Sequence, residues 1–231
     1  MNEMILPTPI VRLDRVTKTY DGAGPPRTAL RGVSFEVHPG EMVLVLGPSG
    51  SGKTTLLTLI AGLTRPTCGA VFLFGKNVED YPAAALQRIR AERMGFVFQT
   101  FYLIEALTAA ENIEVVLRFT GHRRADRIRK TGRLLRDLGV EDLAGRFPRT
   151  MSQGEKQRVA IARAAANDGA LIIADEPTGS LETGQGFDII RLLHRLSKDR
   201  NAAVIVASHD LRLKEFSDRT LCLRDGMMTD F

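Results

Sequence analysis

The chain has no tryptophan, only two cysteines, and no apolar run close to the length of a membrane span. A bilayer helix needs about 20 apolar residues in succession, so none is expected here. Cys68 and Cys222 lack metal-ligand spacing, and isolated thiols of this kind fit a reducing compartment. The first residues, Met1 to Pro9, lack a basic-then-apolar leader pattern. There is no internal repeat, low-complexity tract or linker-like stretch. These absences point to a cytosolic chain; if it works at a membrane, other polypeptides supply the spans. At 231 residues there is room for one large domain or two small ones, with a sizeable core. The net charge is +5, and the basic residues are scattered except for one cluster from His122 to Lys130. Such a run is usually a solvated helix face, with a nucleic-acid or lipid-headgroup patch as the alternatives.

One stretch carries chemistry openly. Gly47, Pro48, Ser49, Gly50, Ser51, Gly52, Lys53 and Thr54 fit the phosphate-binding loop G-x-x-x-x-G-K-[ST] at every fixed position. The apolar run Met42–Leu46 before it reads as a buried strand, and Thr55–Ile60 after it reads as a helix. Glycines let successive backbone N–H groups point inward at phosphate oxygens, and the helix N-terminus adds partial positive charge. Lys53 is expected to reach the β- and γ-phosphates, and the Thr54 hydroxyl to bind Mg²⁺.

Around this loop the pattern alternates between strand and helix. Ile10–Leu13 and Val33–Val37 look like strands, with a Gly- and Pro-bearing loop from Asp21 to Pro26 between them. Pro39-Gly40 is a turn, Arg65–Gly69 a second turn, and Ala70–Phe74 a strand. Pro82–Arg93 reads as helix and Gly95–Phe98 as strand. From Thr108 to Ala166 the pattern is mainly helical, with Thr108 and Glu111 spaced as a capping box. Leu134, Leu135 and Leu138 recur at helical spacing before Gly139. Leu171–Ala174 and Ala203–Ala207 then read as buried strands, each followed by a helix, and Asp225-Gly226 as a turn between two short final strands. The expectation is one α/β domain over 1–231, interrupted by a helical subdomain at approximately 100–165.

The strand Leu171–Ala174 ends in two carboxylates, Asp175 and Glu176, and Asp175 can hold Mg²⁺ as the second acidic motif of phosphate-loop NTPases does. Met151-Ser152-Gln153-Gly154-Glu155 opens a helix, Gln99 follows Phe96-Val97-Phe98, and His209 follows Val204–Ser208. In this order the motifs resemble those of the ATP-binding subunits of ABC transporters, over essentially the whole chain. The fold this implies is a phosphate-loop NTPase core, a RecA-like parallel sheet, with N-terminal antiparallel strands and an inserted helical subdomain. Glu176 resembles the family's catalytic glutamate, which polarises the attacking water. Ser152, Gln153, Gly154 and Glu155 resemble the signature usually written L-S-G-G-Q. Met151, Gln153 and Glu155 depart from it, which implies weakened or retuned phosphate contact. Gln99 matches the glutamine that touches Mg²⁺ and water, and His209 the switch histidine near the γ-phosphate. Tyr20 sits where the family stacks an aromatic on adenine, and Thr55 completes the ATP-binding set. Ser180, Leu181 and Glu182 occupy the D-loop, with Glu182 where Asp is usual.

The resemblance implies ATP and Mg²⁺ as cofactors and a head-to-tail dimer, in which the signature of one subunit closes over ATP held by the other. It implies transmembrane permease subunits as partners, received by a groove near Gln99–Ile104, and a place on the inner face of the cell membrane. It points away from nucleic acid. Phe98–Leu103, Leu107–Ile113 and Asp175–Leu181 look like the lipoprotein-releasing and macrolide-exporting group. The rival readings are a soluble ABC ATPase of iron–sulfur assembly or DNA-related work, and a nucleotide-gated regulator of a membrane assembly such as cell-division machinery.

Overall fold

The structure, a computed structural model, describes residues 8–21 and 25–230. The leader reading at Met1–Pro9 and the centre of the Asp21–Pro26 loop lie outside them in large part. The chain opens with β1 (Val11–Tyr20) and β2 (Arg27–Val37), which pair antiparallel with Tyr20 opposite Arg27. Both strands are longer than the sequence pattern suggests, because ladder pairing carries them past the apolar residues to the polar Thr17–Tyr20 and Arg27–Thr28 ends. β3 (Met42–Leu46) follows the turn at Pro39-Gly40, with all five residues buried. α1 (Lys53–Ile60) leaves the phosphate loop directly. β4 (Cys68–Leu73) takes in Cys68 and Gly69, which the sequence pattern assigns to a turn; they extend the ladder with β1 at Thr17. After β5 (Lys76–Asn77), α2 (Ala83–Arg93) leads into β6 (Met94–Phe98).

The helical stretch comprises α3 (Ala109–Phe119), α4 (Arg124–Asp137) and α5 (Gln153–Ala164). Both halves of the Thr108–Glu111 capping box are made. β7 (Leu171–Asp175), α6 (Thr183–Asp199) and β8 (Ala203–Ser208) then resume the alternation. The helix expected after β8 is a 3₁₀ stretch, Leu211–Phe216, started by the Asp210 side chain accepting from the Arg212 amide. β9 (Arg219–Arg224) and β10 (Met227–Asp230) close the chain around the Asp225-Gly226 turn.

Two sheets result. One is antiparallel, in the order β2-β1-β4-β5; the other runs β10-β9-β3-β8-β7-β6, parallel from β9 to β6. A parallel sheet covered on both faces needs continuous apolar strands, and β3 shows why. Met42, Leu44 and Leu46 enter a core shared with α3, α4, α5 and α6. Val43 and Val45 enter a second core with α1 and the antiparallel sheet. Each such side chain contributes about 1.5–3 kcal/mol on burial. Among the described residues no helix is long and apolar enough to cross a membrane.

The register decides where chemistry can gather. Leu46 lies opposite Ser208, Ala207 opposite Asp175, and Asp175 opposite Phe98. The residues that follow these strand ends are Gly47, His209, Glu176 and Gln99. All four emerge at the carboxyl edge of one sheet, where open α/β sheets bind ligands.

Candidate active site

The phosphate loop bends through a backbone that only glycine tolerates at its last turn. Gly52 has φ +109°, and a Cβ there would lie 2.5 Å from the Ala29 carbonyl oxygen. That turn delivers Lys53 as the first residue of α1. Its side chain is 7% exposed, and Nζ donates to the carbonyls of Gly47 at 2.7 Å and Pro48 at 3.1 Å. The same Nζ lies 3.5 Å from Glu176 Oε1. One residue on, the Thr54 hydroxyl donates to Asp175 Oδ2 at 3.2 Å.

Glu176 takes a left-handed backbone, φ +46°, fixed by its amide donating to the Ala207 carbonyl at 2.9 Å. This turn aims its carboxylate back over the loop. Oε2 accepts from Ser208 Oγ at 3.4 Å and faces His209 Nδ1 at 3.0 Å. Burial pushes the Asp175 carboxyl above its ordinary range and the adjacent Glu176 charge adds to the shift, while the Thr54 hydroxyl and Lys53 pull the other way. A carboxyl that costs free energy to ionise in place is one that a cation would stabilise.

Above this row lies a cavity of about 400 Å³, lined by Tyr20, Arg27, Ala29, Ser49, Gly50, Gly52, Lys53, Thr54, Thr55, Asp175 and Glu176. Arg27 and Ala29 belong to no motif, so the sequence offered no sign of them; the pairing of Tyr20 with Arg27 brings them to the cavity. Gly47 and Pro48 line the neighbouring cleft with His209, and Ser51 is buried beneath the loop. Gln99 is exposed and does not line the cavity; its carbonyl accepts from Ser180 Oγ at 3.1 Å.

Ser152, Gln153, Gly154 and Glu155 do not line the cavity of their own chain either. They start α5, and Glu155 has a local task that the signature pattern does not disclose. Its carboxylate accepts from the Ser152 amide at 2.6 Å, while Ser152 Oγ accepts from the Glu155 amide at 3.3 Å. The Ser152 amide holds the Glu155 carboxyl below its ordinary range against a smaller effect of burial. Gln157, fully buried, donates from Nε2 to the Pro177 carbonyl at 2.7 Å and so ties α5 to the loop after Glu176. Beyond Pro177, Leu181 packs on the core while Ser180 and Glu182 are exposed.

The apolar run after Gln99 is partly on the surface. Tyr102 and Ile104 are exposed, and Phe101 and Leu103 are half-buried. Asn112, fully buried, pins Ile104 through its amide and carbonyl, and Arg163 donates to the carbonyls of Phe101 and Tyr102. A groove of about 480 Å³ runs between α2 and α3, lined by Ala84, Gln87, Arg88, Ala91, Glu92, Val116 and Phe119. The sequence reading did not find it, because its two walls become neighbours only in the folded chain.

A phosphate loop, two carboxylates at the end of a second strand and a histidine at the end of a third define a nucleotide-binding ATPase cassette. The family model described as ABC transporter matches residues 30–179. The macrolide export ATP-binding/permease protein MacB of Escherichia coli K12 is 38% identical over 219 residues, 95% of this chain and 34% of MacB. MacB of Shigella flexneri is 37% identical over the same share of both chains. The chain thus spans about a third of the length of these curated relatives. The ATP-binding cassette MJ0796, solved as a dimer in a post-hydrolysis state bound to ADP and Pi, is 37% identical with a TM-score of 0.85, covering 95% of this chain and 98% of its own. CbiO1 of Clostridium perfringens, part of the ABC transporter complex cbiONQ, shares the fold at 24% identity and a TM-score of 0.87, over 96% of this chain and 88% of its own. The chain belongs to the ABC transporter family and is one of its ATPase cassettes.

Proposed function

We propose that this chain binds Mg-ATP in the cavity above α1 and hydrolyses it to drive a membrane exporter of the macrolide-export and lipoprotein-release type. The observation that carries the reading is the row Lys53–Glu176–His209 over the phosphate loop, beside the Thr54–Asp175 pair. The loop amides and the α1 N-terminus receive the triphosphate. Lys53 exchanges the Gly47 and Pro48 carbonyls for β- and γ-phosphate oxygens. Tyr20 stacks on adenine. Thr54 and Asp175, two hard oxygen donors 3.2 Å apart, fit Mg²⁺, with Gln99 as a further ligand once the site closes. When bound, that ion offsets charge on the β- and γ-phosphate oxygens. Among the described residues there is no group of three or more His, Cys, Asp or Glu placed to hold a metal. The remaining ligands on this reading are phosphate oxygens and water, the usual arrangement for Mg²⁺.

Glu176 orients the attacking water and accepts its proton. With both ring nitrogens protonated, His209 donates through Nδ1 to Glu176 and through Nε2 to the γ-phosphate. Ser152 and Gly154, flanked by Gln153 and Glu155, come from a second copy in a head-to-tail homodimer, with Ser180, Leu181 and Glu182 meeting across the interface. Catalysis is then mostly positioning and charge neutralisation. The permease docks at a groove near Gln99–Ile104, for which we take the groove between α2 and α3, and the cassette sits peripherally on the cytoplasmic face of the membrane. The names of the curated relatives, which pair ATP-binding with permease, support this partner.

The test is purification of the tagged chain from gently solubilised native membranes, with an ATPase assay on the product. A stoichiometric permease and Mg²⁺-dependent hydrolysis are expected. Recovery only in the soluble fraction, with nucleic acid, ribosomes or iron–sulfur assembly proteins, would overturn the export reading.

A further inference from the structure

The positive charge of this molecule is not spread over it. Between residues 118 and 137 there are eight Lys or Arg and two Asp, so the rest of the chain, out of a net +5, carries one net negative charge. This segment is the end of α3, the turn through Gly121, and α4. Its charges fall into two sets. Along α4, Arg127, Arg129, Lys130, Arg133 and Arg136 each face a carboxylate, at 3.9, 2.8, 2.8, 3.8 and 3.4 Å. At the corner between the helices, Arg118, Arg123 and Arg124 have neither an ion pair nor a side-chain hydrogen bond among the described residues.

The same corner carries apolar side chains that nothing covers. Phe119 is 83% exposed and Ile128, one helical turn beyond Arg124, is 53% exposed. A merely solvated helix face has no use for a bare phenyl ring, and this one follows Arg118 directly and precedes Arg123 and Arg124 by a short turn. An exposed ring and an exposed β-branched side chain in an arginine-rich stretch match a surface that is anionic outside and apolar just beneath. Nucleic acid is matched less well, since it would take the charges but leave Ile128 unused. Phe119 also lines the groove between α2 and α3. At 83% exposure its ring stands at the rim of that groove; on the reading that the groove receives the permease, the ring and the corner beyond it face the bilayer.

We propose that the α3–α4 corner is a membrane contact, in which Arg118, Arg123 and Arg124 bind anionic lipid headgroups while Phe119 and Ile128 enter the interfacial layer. It anchors the cassette beside its permease and works without it, so the contact is measurable on the chain alone. Headgroup attraction of this kind is worth about fivefold in partitioning per arginine and falls off within a Debye length.

The experiment is co-sedimentation of the purified chain with sucrose-loaded vesicles of phosphatidylcholine, with or without 30% phosphatidylglycerol. Binding to the anionic vesicles and not to the neutral ones is expected, with most of it lost in 0.5 M salt. Arg123→Gln with Arg124→Gln should lower partitioning by about 25-fold, and Phe119→Ser should lower it further. Arg133→Gln with Arg136→Gln, which removes arginines already paired, should lower it by clearly less. Fluorescent nucleotide binding, measured on every variant, reports that the fold is kept. Equal binding to both vesicle types, no binding to either, or an Arg123/Arg124 variant that binds as the parent would overturn the proposal. So would a duplex or single-stranded oligonucleotide bound more tightly than the vesicles. A chain that binds anionic vesicles but co-purifies with no permease would leave this contact standing and sink the export reading instead.

Discussion

Replacing Glu176 by Gln tests the centre of the mechanism with the smallest change of shape. The two side chains are isosteric, so the left-handed backbone at φ +46° is not disturbed further. What changes is charge, at a carboxylate 3.0 Å from His209 Nδ1 and 3.5 Å from Lys53 Nζ. Two effects follow, of opposite benefit. A positioned general base contributes about 10²–10⁴ in rate, so turnover should fall by that factor, a barrier rise of about 3–5 kcal/mol. ATP should meanwhile bind more tightly. At 3.5 Å the Lys53–Glu176 attraction is about 5 kcal/mol at an effective dielectric of about 20, but desolvation of both groups offsets most of it. A net release of about 1 kcal/mol, together with one less negative charge facing the triphosphate, gives about fivefold tighter binding. The assay is steady-state phosphate release beside equilibrium ATP binding, with dimer formation followed by light scattering. The variant should form a long-lived ATP-bound dimer. Hydrolysis at the parent rate would refute the role of Glu176, and ATP binding weakened rather than tightened would refute the account of the Lys53 pair.

Three further outcomes separate structure from chemistry. Ser152→Ala should cost about 1 kcal/mol through loss of the α5 cap, whereas Ser152→Asn should restore most of that stability without restoring ATPase activity; recovery of both in Asn would mean that Ser152 only caps. Gly95→Ala should be severe, because a Cβ there would lie 2.1 Å from the Ala164 carbonyl oxygen, where backbone meets backbone. A loss of about 3 kcal/mol lowers Tm by about 6–12 °C in a chain of this size, and a Tm within about 2 °C of the parent would contradict the packing of β6 on α5. Asp218 supplies the pH test. Burial pushes its carboxyl up, but Lys198, the Met42 amide and His194 together outweigh this and hold it below the ordinary range. A carboxyl lowered in the folded state stabilises above the unfolded value near about 4 and loses that contribution as pH falls through the folded one. Asp218→Asn should therefore lower the urea midpoint at pH 7 and converge on the parent towards pH 2–3, and a gap that does not change with pH would show that the Asp218 charge is not responsible.

The sequence alone determined the elements that local chemistry can encode. A phosphate loop is legible because strand, glycine turn and helix N-terminus must be contiguous, and Met42–Leu46 announces a doubly covered strand by having no polar residue. The capping box at Thr108 and Glu111 is legible for the same reason: three residues suffice to make it. The grouping of Asp175, Glu176 and His209 beside Lys53 could be expected only from the order of the motifs, since each lies over a hundred residues from Lys53 in the chain. Tertiary structure decided what depends on register and on approach between distant segments. It brought four strand ends to one edge, turned Glu176 through a left-handed backbone towards Lys53, and added Arg27 to the cavity through an antiparallel pair. It also divided the arginines of the α3–α4 region into those that form an ion pair and those that form none among the described residues. Local pattern carries information over one turn or one strand; pairing across a sheet and burial between helices are properties of the whole fold, and no window of sequence contains them.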